Sequence, residues 1–191
     1  MRVLVISGEV SLPQPFSYGL TGASDVKTIG IIDQKFLALA EKYGDSRGIS
    51  AFEMQNFMKS AVEHATTVIS NADVDVIVGV GYGAQVLSNL NNSYEWRGPS
   101  IFVYSEGATR VNVTPRPLPE EVDFDTRPVR SAVIVVDDAT QKIGSSVKRI
   151  SQDLDVAMHV NVSSKLWDSL FHKSGILSAC VDLIYSTHDS L

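Results

Sequence analysis

Two adjacent carboxylates, Asp137 and Asp138, directly follow the apolar run Ala132-Val133-Ile134-Val135-Val136. Like charges held side by side repel unless a cation or hydroxyl donors lie between them. Sugar hydroxyls, or a Mg²⁺ ion with its waters, meet that need. Next come Ala139, Thr140, Gln141, Lys142, Ile143, Gly144, Ser145 and Ser146. The glycine and the hydroxyls at a helix start suit a phosphate, and Lys142 adds a positive charge. A plainer account has Asp138 capping a helix and Asp137 solvated. We expect the functional account, because the mouth of a buried strand is where open parallel sheets hold ligands.

A second candidate is Gly79-Val80-Gly81-Tyr82-Gly83-Ala84. Small residues between a strand and a helix let the backbone approach a ligand, and the helix start presents unpaired N–H groups to an anion. The same glycines also serve a tight turn that binds nothing, and a short glycine motif does not separate the two. His172 reads most simply as a polar residue on an amphipathic helix. His64 and His159 have no partner spacing, and His188 falls in the tail. The one cysteine, Cys180, lies in an apolar helical stretch, so neither a disulfide framework nor a cysteine-based zinc site is expected. No metal-ligating residues are assigned.

The elements that position these candidates follow from periodicity. A short strand is expected over 2–6, then a Pro-rich stretch at Leu12-Pro13-Gln14-Pro15. Asp33 suits the cap of a helix carrying Phe36, Leu37, Leu39 and Ala40 and stopping at Gly44. Ser50 and Glu53 have capping-box spacing. Met54, Phe57, Met58, Ala61, Ala65, Val68 and Ile69 then recur at helical intervals until Asn71-Ala72-Asp73. The run 74–80 is almost continuously β-branched, the pattern of a strand covered on both faces. A helix with Val86, Leu87 and Leu90 follows, then strands over 100–104, 132–136 and 156–162 and a closing helix over 166–184. The stretch 105–130 has no apolar periodicity and contains four prolines, so it is expected to be a lid loop. Strands that alternate with helices predict an α/β fold: an open, mainly parallel twisted sheet with helices on both faces.

Composition narrows the function. A chain of 191 residues with 44% hydrophobic and 20% charged residues fits one α/β domain spanning 1–191. A net charge of −6 gives no electrostatic case for nucleic acid. No apolar run reaches membrane-spanning length, so no membrane partner is expected. The start, Met1-Arg2-Val3-Leu4-Val5-Ile6, is too short and too quickly polar for a signal peptide, and a cytoplasmic protein is the expectation.

The chain resembles the type I phosphoribosyltransferases, closest to the orotate-using kind. Asp137 and Asp138 match the acidic pair of that family, Gly144 the second glycine of its phosphate loop and Ser145 the final hydroxyl. The stretch 78–84 looks like the pyrophosphate loop, and Ile101-Phe102-Val103-Tyr104-Ser105-Glu106 resembles the strand before the lid at 105–130. Gly8-Glu9-Val10-Ser11-Leu12 and Phe16-Ser17-Tyr18 resemble the amino-terminal hood, which would occupy 1–30. The resemblance implies transfer of phosphoribose from phosphoribosyl pyrophosphate to a nucleobase such as orotate, with Mg²⁺ bound mainly through the ligand's phosphates. Asp137 and Asp138 would orient the ribose hydroxyls. Ala139, Thr140, Lys142, Gly144, Ser145 and Ser146 would hold the 5′-phosphate, and Gly81, Tyr82, Gly83 and Ala84 the pyrophosphate. The partner would be phosphoribosyl pyrophosphate or a nucleoside 5′-monophosphate, and the chain would be able to act as a homodimer.

Departures from that pattern are specific. The family's loop lysine aligns with Gly83, its strand-end basic pair with Tyr104 and Ser105, and its Thr-Thr-Gly with Gln141-Lys142-Ile143. Lys142, Arg110 or Arg116 would have to supply the missing charge. A non-catalytic nucleotide-binding or regulatory protein of the same fold is therefore the alternative. A second resemblance is to the α/β-hydrolases. Gly79-Val80-Gly81-Tyr82-Gly83 has the frame of a Gly-x-Ser-x-Gly nucleophile elbow, with Asp138 and His172 following in the triad's chain order. Gly81 takes the nucleophile's place and has no side chain to acylate.

Overall fold

The computed structural model describes residues 1–8, 20, 23, 25–31, 34–42, 49–93, 95–104, 129–136, 154–162 and 175–188. Six strands form one sheet: β1 (Arg2–Gly8), β2 (Asp25–Gly30), β3 (Val76–Gly81), β4 (Ser100–Tyr104), β5 (Val129–Val136) and β6 (Leu154–Val162). Their order is β2-β1-β3-β4-β5-β6, and every pair is parallel. Four helices are described: α1 (Gln34–Lys42), α2 (Ala51–Ser70), α3 (Tyr82–Asn92) and α4 (Ile176–His188).

Alternation along the strands explains why both faces are covered. Val3 and Val5 of β1 lie with Val76, Val78, Val80, Ile101, Val103 and Ile134 in one core, against Leu177, Cys180, Val181 and Ile184 of α4. Leu4, Ile6, Ile77 and Phe102 point to the opposite face, against Met58, Ala61 and Ala65 of α2 and Ala84, Leu87 and Leu90 of α3. All six residues of β3 are buried, as a strand at the centre of two such layers must be. Burying one Leu, Ile, Phe or Met contributes about 1.5–3 kcal/mol, so these two layers hold the sheet in place.

The start of α2 follows its sequence signal. Ser50 caps it, its Oγ accepting the Glu53 backbone N–H at 3.3 Å and donating to the Glu53 carboxylate at 2.7 Å. Asn71 ends the helix, its Nδ2 donating to the Thr67 carbonyl at 2.7 Å. The expected strand over 132–136 begins earlier, at Val129. Arg130, assigned to the lid from sequence, therefore belongs to β5, and its Nε donates to Thr187 Oγ1 of α4 at 3.1 Å. The expected helix over 166–184 is corrected at Gly175, while residues 166–174 lie outside the described residues. Gly175 has φ 66°, outside the helical region, and α4 begins only at Ile176. Of the proposed hood, the described strands Arg2–Gly8 and Asp25–Gly30 are part of the main sheet. The remainder of 105–130, residues 105–128, lies outside the described residues.

Candidate binding site at the carboxyl edge of the sheet

Because all strands are parallel, their carboxyl ends share one edge. The chain moves outward from β1 to β2 and then returns to place β3 on the other side of β1. A reversal of this kind opens a crevice above the two strands, and ligands of open α/β sheets bind there. The residues at that point are Gly8, the last of β1, and Gly81, the last of β3, which face each other in register.

Gly81 makes the turn into α3 with φ 61° and ψ −123°, a backbone shape that disfavours any residue with a Cβ. Among the described residues no side chain caps α3, and its first N–H groups have no intrahelical acceptor. The flanking glycines are fixed by packing. A Cβ on Gly79 would come within 2.7 Å of the Ala84 Cα, and one on Gly83 would overlap the carbonyl of Ile6. A Cβ on Gly8 would lie 2.6 Å from the Tyr82 nitrogen. The first turn of α3 is thus pressed onto the ends of β1 and β3. The packing of α3 on the sheet thus requires both Gly79 and Gly83. Gly81 alone combines the strained turn with the mouth of the crevice.

Tyr82 turns away from the crevice mouth. Its ring meets Phe36 of α1 at 5.7 Å and Phe57 of α2 at 6.4 Å between centroids, both edge-on, while Phe36 and Phe57 are 4.5 Å apart. Its backbone N–H, not its ring, belongs to the edge. Ala84 is fully buried against the sheet, and Gln85, one position on, is also buried. Among the described residues the Gln85 Oε1 has no hydrogen-bond partner. Sequence reasoning missed Gly8, because its significance lies in a partner, Gly81, far along the chain. It also missed the aromatic contacts that hold the turn from behind.

The other half of the expected site follows β5 in sequence. β5 ends at Val136, on the same edge, with β4 between it and β3. Asp137, Asp138, Ala139, Thr140, Lys142, Gly144, Ser145 and Ser146 lie outside the described residues, as does His172. Among the described residues no group of three or more His, Cys, Asp or Glu side chains comes together to hold a metal ion. No described helix is long and apolar enough to cross a membrane.

A cleft of about 230 Å³ occupies the opposite edge, lined by Arg2, Asp25, Lys27 and Asp73. Its arginine is committed to carboxylates, with Asp73 at 2.7 Å and Asp75 at 3.1 Å. No protein-family model, no curated protein and no solved structure matches the chain. The two resemblances accordingly rest on the quoted residues alone.

Proposed function

We propose that this chain is an α/β-hydrolase-like protein without a serine nucleophile, which binds a small ligand at the crevice over β1 and β3 and forms no acyl intermediate. One observation carries the reading. Gly81 occupies a sharp strand-to-helix turn at positive φ, between two glycines that let α3 pack onto the sheet. A nucleophile elbow has this construction, and its oxyanion site uses the N–H of the residue after the nucleophile, here Tyr82. That N–H would hold a carbonyl or acid oxygen of the ligand, together with the first turn of α3. Asp138 and His172 follow in the triad's order, without the hydroxyl they would activate.

Restoring the hydroxyl tests the reading. In Gly81→Ser, a fluorophosphonate should add to the new Oγ with loss of fluoride, and p-nitrophenyl acetate should be hydrolysed. Wild type should do neither. Holding serine at positive φ costs about 1–3 kcal/mol, so folding is checked by circular dichroism. A folded Gly81→Ser protein that is neither labelled nor active would refute the proposal.

A second reading, a phosphoribosyltransferase-like protein that binds phosphoribosyl pyrophosphate or a nucleoside 5′-monophosphate, is favoured by the position of β5. β5 ends at Val136 on the same edge as the α3 amino terminus, and the acidic pair follows it in sequence. Under that reading catalysis would be weak, because the position of the family's loop lysine, Gly83, has no room for a side chain beside Ile6. Nucleoside 5′-monophosphates should then raise the melting temperature. Pyrophosphate release from phosphoribosyl pyrophosphate, orotate and Mg²⁺ should be slow against an ordinary enzyme's roughly 10 s⁻¹. No thermal shift with any 5′-phosphate would exclude this second reading and leave the first untouched.

A further inference from the structure

Among the described residues the outer edge of β2 is open. The strand order ends on it, and among the described residues no strand lies beyond it. Asp25, Lys27 and Gly30 are exposed, and a Cβ built on Gly30 would meet nothing within 4 Å. The Ile31 N–H donates to the Ser7 carbonyl at 2.9 Å. Backbone groups alternate sides along a strand, so Asp25, Lys27 and Ile29 also turn theirs toward β1. Val26, Thr28 and Gly30 turn theirs outward, as a template for another strand.

Charged residues usually protect such an edge. A guard of one sign repels its own copy in every register, but Asp25 and Lys27 carry opposite signs two residues apart. We propose that a second copy of this chain pairs with β2, antiparallel, about a two-fold axis at Val26. In that register the outward groups of the two Val26 residues bond each other. Asp25 of each copy faces Lys27 of the other at a non-hydrogen-bonded position, where opposed side chains come closest. A register one step on, centred at Lys27, would oppose two lysines, and one centred at Thr28 would set Lys27 against Ile29. The charge pattern thus selects a single self-complementary pairing, the isologous contact a two-fold dimer needs. This proposal is independent of the ligand read for the crevice.

Sedimentation equilibrium from about 1 to 500 μM tests it, since a contact this small dissociates within that range. Wild type should dimerise reversibly, and less so as salt rises. Asp25→Lys and Lys27→Asp should each weaken the dimer by about tenfold or more, because each turns two attractive pairs into repulsive ones. An equimolar mixture of the two variants should recover association, since each supplies the other's complement. Both positions are exposed, and circular dichroism confirms that the variants fold. A monomeric wild type, a dimer indifferent to both substitutions, or a mixture no stronger than its components would overturn the proposal.

Discussion

Asp75, one residue before β3, binds Arg2 of β1 twice over: its carboxylate accepts the Arg2 backbone N–H at 2.6 Å and the guanidinium at 3.1 Å. The side-chain bond to Arg2 and then the backbone bond hold the Asp75 carboxyl below its usual 3.8. A carboxyl with a depressed folded value adds stability above its unfolded pKa and loses that stability as pH falls through the folded one. Asp75→Asn should therefore lower the melting temperature by a few degrees at pH 7. The difference from wild type should shrink below about pH 4. Thermal melts across that range decide it, and an unchanged gap at pH 3 would contradict the assignment.

Gly83→Ala is expected to be severely destabilising, because the added Cβ must displace either β1 or the first turn of α3. Overpacking of this kind costs about 1–3 kcal/mol or more. Urea unfolding should show the midpoint falling without a rise in slope. Gly30→Ala, where the added Cβ meets nothing within 4 Å, is the matched control and should change little.

Cys180 should be inert in the native protein. It is 1% exposed, its Sγ lies 3.3 Å from Met158 Sδ, and burial pushes the thiol up to about 11. At pH 8 its reaction with a disulfide reagent should be at least about a hundredfold slower folded than in denaturant. A raised thiol value also means that stability is complete below the unfolded value near 9.0 and falls as pH rises toward 11. Equal rates with and without denaturant would show that the thiol is reachable.

Replacing both carboxylates, Asp137→Asn with Asp138→Asn, should leave stability within about 0.5 kcal/mol or slightly raised. Binding of a ribose 5-phosphate ligand should weaken about tenfold or more under the phosphoribosyltransferase-like reading. Calorimetry with paired thermal melts measures both. A severe loss of stability with unchanged binding would make the pair structural.

The interior was legible in the sequence wherever burial is two-sided or a helix announces its start. Val76–Gly81 shows an unbroken apolar run because both faces are covered, and α2 follows Ser50 and Glu53. β2 went unread for the opposite reason. An edge strand buries little, and Asp25-Val26-Lys27-Thr28-Ile29-Gly30 has only one buried position, Ile29. Arg130 was placed in a loop because its polarity hides the strand that Ala132 and Ile134 announce. The helix expected from Leu166 passed over Gly175, whose left-handed backbone only coordinates disclose. At the crevice the glycine pattern was visible, but what Gly79 and Gly83 are for was not. Gly83 answers to Ile6, and no local pattern connects them.

The packing of α3 on β1 also sets how this site can change through evolution. A glycine codon ending in a pyrimidine becomes a serine codon by one base substitution, so at Gly81 a nucleophile lies a single step away if the backbone carries it. Gly83 offers no such step. Any side chain there collides with the Ile6 carbonyl, and β1 would have to move before selection could act on the residue. Gain of an attacking hydroxyl is accordingly an accessible innovation for this protein, and a cation at Gly83 in the neighbouring turn is foreclosed by its own architecture.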